Sequence, residues 1–127
     1  MAFKEYNNNP YGKKTGDDIV RAISTAINEN WDTVYYELLL EGYALKDLPT
    51  ADYVWGSYLY RNGFTRHVMG DKCPKHYTVR NFADDHETGV YVLYTGRGAV
   101  TVINGYYYDY YDSGDKVVSY YWEKGVA

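Results

Sequence analysis

The sequence predicts an α+β domain in which N-terminal helices pack on a C-terminal antiparallel β-sheet. Three observations carry this. Apolar residues recur at three- and four-residue spacing through the first half, the period shifts to alternation after Gly89, and tight-turn dipeptides then punctuate the strands. Helices in one half and strands in the other make the α+β arrangement. The 127 residues suffice for a single domain spanning 1–127, with no internal repeat and no linker.

After the polar lead MAFKEYNNNP and a Gly-Lys-Lys turn, Ile19, Ala22, Ile23, Ala26 and Ile27 mark one face of a helix from about Asp17 to Asn28. Thr15 and Asp18, three residues apart, form a candidate capping pair. Asn30 caps a second helix whose Trp31, Val34, Leu38 and Leu39 make one face, with Gly42 as its left-handed stop. The stretch LPTADYVWGSYLYRNGF repeats the pattern: Pro49, Thr50 as cap, a helix through Tyr60, and Gly63 as terminator. A short strand from Phe64 to Met69 follows, then a loop and a short helix capped by Thr78. VYVLYT and AVTVI read as strands around the Gly96-Arg97-Gly98 turn, and Asn104-Gly105 is a strong hairpin signal. YYYDYY and VVSYYW continue the meander across the Asp112-Ser113-Gly114-Asp115 turn.

The formal charge of -4 argues against a nucleic-acid binder, which needs a basic face to displace counterions. One cysteine, Cys73, allows no intrachain disulfide and suits a reducing compartment. No apolar signal region and no long apolar run appear, so a cytoplasmic protein without a membrane span is expected. Cys73 and His76, with His67 and His86, offer metal-ligating atoms, but a structural zinc site usually shows two such pairs, so no metal and no cofactor is expected. Cys73 follows a loop rather than opening a helix, and nothing in the sequence lowers its pKa.

The unusual count is 18 tyrosines. Strand propensity and core packing account for most of them. The run Tyr106, Tyr107, Tyr108, Tyr110 and Tyr111 is different, because consecutive strand residues point to opposite faces and some of these rings are expected at a binding surface. Arg97, Arg21, Arg66 and Arg80 are spaced so that the fold can gather some of them around an anionic ligand.

The segment TGDDIVRAIS, Thr15 to Ser24, has the outline of a nucleophile-bearing first helical turn. Together with VWGSYLYRNGF, CPKHYTV, VLYTG, YYDYYDSG and YYW, it resembles small phage and prophage proteins of the papain-like cysteine peptidase fold. The resemblance covers nearly the whole chain and implies that fold. It places Asp18 where the family has its cysteine and Gly98 where it has its histidine, leaving the orienting acid as Asp112 or, alternatively, Asp109. An aspartate supplies no thiolate and a glycine moves no proton, so the implied catalytic site is degenerate and family-type hydrolysis is expected to be absent. Asp18 as a carboxylate nucleophile would need a second acid or a metal; as an acid in a first helical turn it complements the helix dipole. Arg97 is a candidate partner for Asp18 in place of the lost pair.

Three functions follow. The first is a non-catalytic binding protein that occludes a host protein, such as a bacterial defence enzyme, through a tyrosine-rich surface bearing Arg97 and the Tyr106–Tyr111 run. The second is sequestration of a nucleotide-like signal in the former catalytic cleft. The third is residual hydrolysis, marked by a strongly perturbed acid or thiol beside a partner in a cleft.

Overall fold

The computed structural model describes residues 2–70 and 76–125. Among these, four helices and six strands run in the order β1 (Phe3–Glu5), α1 (Asp18–Ile27), α2 (Trp31–Leu45), α3 (Asp52–Arg61), β2 (Phe64–Val68), α4 (Val79–Asp85), β3 (Val90–Tyr94), β4 (Ala99–Ile103), β5 (Tyr106–Asp109) and β6 (Tyr120–Lys124). The fold is α+β around one open mixed sheet of order β1-β5-β4-β3-β6-β2. The antiparallel meander appears as expected through β3, β4 and β5, with Asn104 and Gly105 both at positive φ in the β4–β5 turn, but β6 does not continue it: beyond the Asp112–Asp115 turn the chain crosses back and β6 pairs antiparallel with β3. Both edges, however, come from earlier in the chain. β1 forms from the polar lead and pairs parallel with β5, placing Phe3 beside Tyr107, and β2 pairs antiparallel with β6. A three-residue strand carries too little periodicity to be seen in sequence, and its partner strand lies a hundred residues away.

Strand alternation divides the core in two. Val92, Ala99 and Trp122 face α1, α2 and α3, where they meet Ile23, Val34, Trp55 and Leu59. Leu93, Val100, Val102 and Tyr107 form the opposite cluster with Val79 and Phe82 of α4. The sheet is thus covered on one face by three helices and on the other by the short α4. No described helix is long and apolar enough to cross a membrane.

Several helix ends depart from expectation for tertiary reasons. α2 runs through Gly42 to Leu45, and Lys46 adopts the left-handed conformation instead. Gly42 is needed for close approach: a Cβ there would lie 2.7 Å from the Asp47 carbonyl oxygen, where the α2–α3 connection folds back. Leu39, expected on the inner face, is 43% exposed. Ala51 rather than Thr50 occupies the N-cap of α3, without a side-chain cap bond. At α4 the cap is as read: Thr78 Oγ1 accepts from the Asn81 N–H and Asn81 Oδ1 accepts from the Thr78 N–H.

Candidate functional site

The amphipathic helix α1 lies across β4, and its first turn faces the β3–β4 turn. Asp17 is the N-cap, but its carboxylate makes no capping bond, and Thr15 makes none either. The Asp17 carboxylate accepts instead from Arg21 Nε at 2.8 Å, Trp31 Nε1 at 2.9 Å and Asn9 Nδ2 at 3.0 Å. Arg21 in turn donates through Nη1 to Asp109 Oδ1 at 2.9 Å, and the Tyr110 ring covers its guanidinium at 4.6 Å. All three charged side chains are under 10% exposed. Burial pushes the Asp17 carboxyl up, yet its three hydrogen bonds and the Arg21 charge outweigh that and hold it below the usual carboxylate range.

Asp18 differs from its neighbour. Its Oδ2 accepts from the Ala99 N–H at 2.9 Å, tying the helix start to the first residue of β4. Burial raises its pKa, and the Ala99 hydrogen bond and the Arg21 charge offset this only in part. The expected pairing with Arg97 does not form: the backbone of β4 reaches the carboxylate first, and Arg97 points from the turn without an ion pair among the described residues. Gly98 stands directly over Asp18. A Cβ at position 98 would lie 2.5 Å from Asp18 Oδ2, so the carboxylate fills the space a side chain there would need.

Of the two candidate orienting acids, Asp109 lines this cleft and Asp112 does not. Asp112 accepts from the Tyr107 hydroxyl at 2.5 Å and the Gly114 N–H at 2.9 Å, with Arg80 beside it at 3.5 Å. Tyr107 is 1% exposed and belongs to the core, so it is removed from the candidate binding surface. Its position in the inner register of β5, between β1 and β4, decides this. The other tyrosines of the run scatter: Tyr106 carries Lys4 over its ring, Tyr108 meets Tyr6 edge-on, and Tyr110 and Tyr111 line the cleft. Of the four arginines expected to gather around a ligand, Arg21 and Arg97 reach the cleft, Arg66 stacks on Tyr120, and Arg80 pairs with Asp112 and Asp115.

Cys73 lies outside the described residues. His67 pairs with Glu123 at 3.0 Å and His86 stacks on Phe82 at 3.7 Å. Among the described residues no three His, Cys, Asp or Glu side chains are grouped to hold a metal.

A second apolar and aromatic surface lies elsewhere. On α2, Tyr36, Leu39, Leu40 and Tyr43 are 62%, 43%, 50% and 74% exposed, at the i, i+3, i+4, i+7 spacing of one helical face. Val34 and Leu38 fill the opposite, inner face, so the helix is apolar on both sides. The sequence offered a signal for this in YYELLLEGYAL, where apolar residues exceed what one buried stripe can use. Neither a protein-family model nor a curated protein nor a solved structure matches this chain.

Proposed function

We propose that this chain is a non-catalytic binding protein that docks on a protein partner through the outer face of α2, with an inactive papain-like phage protein that blocks a host defence enzyme as its biological setting. The observation that carries the reading is the apolar outer face itself. A helix that is apolar on both sides is normally buried on both, and aromatic anchors such as Tyr36 and Tyr43 are the residues that contribute most at interfaces. The rim carries three exposed acids, Asp32, Glu37 and Asp47, and one cation, Lys46, over the Tyr43 ring at 4.0 Å, which suits a partner with an apolar groove and polar edges.

The non-catalytic part rests on Asp18 and Gly98. The position the resemblance assigns to a nucleophile holds a carboxylate engaged by a backbone N–H, and the adjacent position has no side chain. The test is native mass spectrometry of the chain purified gently from a bacterial lysate, beside a Tyr36→Ser/Leu40→Ser/Tyr43→Ser variant and a Tyr106→Ser/Tyr111→Ser control. The expected result is a stoichiometric host protein on the wild type and the control, absent from the α2 variant. An identical partner on the α2 variant would overturn the assignment of this face.

A further inference from the structure

The cleft between α1 and the β3–β4 turn is a half-open cavity of about 300 Å3, at the small end of the range for ligand sites. Its charge runs against that of the chain. The protein carries a net charge of -4, yet four cations line this cavity against two carboxylates. Three of the cations, Lys14, Arg97 and Lys116, form no ion pair among the described residues, and Lys14 and Arg97 are exposed at the rim. The two carboxylates sit deeper. Asp109 uses Oδ1 for both Arg21 and the Tyr110 N–H, and Asp18 uses Oδ2 for the Ala99 N–H, so each retains acceptor capacity on its other oxygen. Tyr110 and Tyr111 also line the cavity, with Arg21 over the first ring at 4.6 Å and Lys116 over the second at 5.6 Å.

We infer that the cavity binds a guanine mononucleotide, with the base edge directed at Asp18 and Asp109 and the phosphate held by Lys14, Arg97 and Lys116. The assignment follows from polarity. Cations without a carboxylate partner call for an anionic group, and lysine and arginine donors suit a phosphate. Deep acceptors call for a head rich in N–H donors. Guanine presents two adjacent donors, a ring N–H and an exocyclic NH₂, to meet the one free oxygen that each of Asp18 and Asp109 retains, whereas adenine sets an acceptor beside its donor. Tyr111, 41% exposed, has Lys116 over its ring, which sets a phosphate-binding cation beside an aromatic edge. The volume suits one nucleotide. This site shares no residue with the α2 face, so either can fail without the other.

Isothermal titration of the full chain with GMP, AMP and inorganic phosphate tests the inference. GMP is expected to bind at least roughly tenfold more tightly than AMP, since adenine can donate to only one of the two carboxylate oxygens and sets its ring nitrogen acceptor against the other. Phosphate alone should bind more weakly and compete. Lys14→Ala/Arg97→Ala, two exposed positions, should lower GMP affinity by roughly tenfold or more and flatten its salt dependence while leaving thermal melting unchanged. Equal binding of GMP and AMP would overturn the guanine assignment and its orientation while leaving a phosphate site. Absence of binding by all three probes would overturn the site.

Discussion

The cleft beneath α1 and the outer face of α2 invert the usual partition in opposite ways. At the first, charged side chains are inside: Asp17, Arg21 and Asp109 are buried together, each hydrogen-bonded to another. At the second, apolar side chains are outside, with Tyr36, Leu40 and Tyr43 at least half exposed. The difference teaches where the molecule is complete in itself. Buried charge is tolerated when its partners are close, and here the partners are intramolecular, so the triad is a structural device that fastens α1 to β5. Exposed apolar area has no such internal remedy and is stabilised only by something added.

The largest effect expected from breaking the comparison is at Arg21. Arg21→Met leaves two carboxylates buried side by side without a counter-charge and should destabilise the fold by about 3–5 kcal/mol, measured by urea denaturation. A loss below about 1 kcal/mol would mean that the triad is not the fastening it looks to be.

Position 98 comes next. Gly98→Ala forces the Asp18 carboxylate off the Ala99 N–H and should cost about 1 kcal/mol. In an Asp18→Ala/Gly98→Ala variant the added methyl group should cost nothing further, which a double-mutant cycle reads as coupling between the two sites.

Asp17 and Asp18 then sharpen the comparison through pH, because their shifts have opposite signs. Asp17 has its folded pKa below the unfolded value near 3.8, so its stabilising contribution is present above that pH and is lost as pH falls through the folded value. Asp18 has its folded pKa above 3.8, so it favours the fold only at low pH, and that contribution is lost as pH rises through the folded value. Asp18→Asn keeps an acceptor for Ala99 and removes the buried charge. It should raise the melting temperature at pH 7 and lose that gain in acid; a lower melting temperature at pH 7 would show that the ionised form is needed.

The smallest effect on stability is expected on α2. Tyr36→Ser with Tyr43→Ser should change unfolding free energy by no more than about 0.5 kcal/mol for each substitution, since neither ring is packed in the core. A larger loss would place the face inside the fold's own energetics and weaken its reading as a contact surface.

How much was legible in the sequence varied with the range of the interaction. The four helices, the β3–β4–β5 meander and the Thr78 cap are local patterns, and each appears in the segment where spacing and turn chemistry put it, although α2 runs past Gly42 and α3 starts from Ala51. The convergence of positions 18 and 98 was also expected, through the resemblance, and the structure sets them in contact. Missed were β1, whose three residues acquire strand geometry only by pairing with β5, and the use of Asp17, whose i,i+4 spacing to Arg21 was visible while its bonds to Trp31 and Asn9 were not. Gly42 was misread because the same residue that ends helices also admits close backbone contact. The tyrosine run was read as one surface, but alternation and the inner position of β5 divide it among core, edge and cleft.

The sequence by itself determined what depends on neighbours a few residues apart: the α+β class, the periodic elements, the hairpin and the excess of apolar residues on α2. Tertiary structure alone decided which aspartate joins the cleft, that Asp18 answers to a backbone N–H rather than to Arg97, and which tyrosines meet water. The reason is physical. Backbone preference and side-chain period act over one or two turns, whereas burial, and with it the worth of every charge and hydrogen bond, is set by chain segments that meet only after folding.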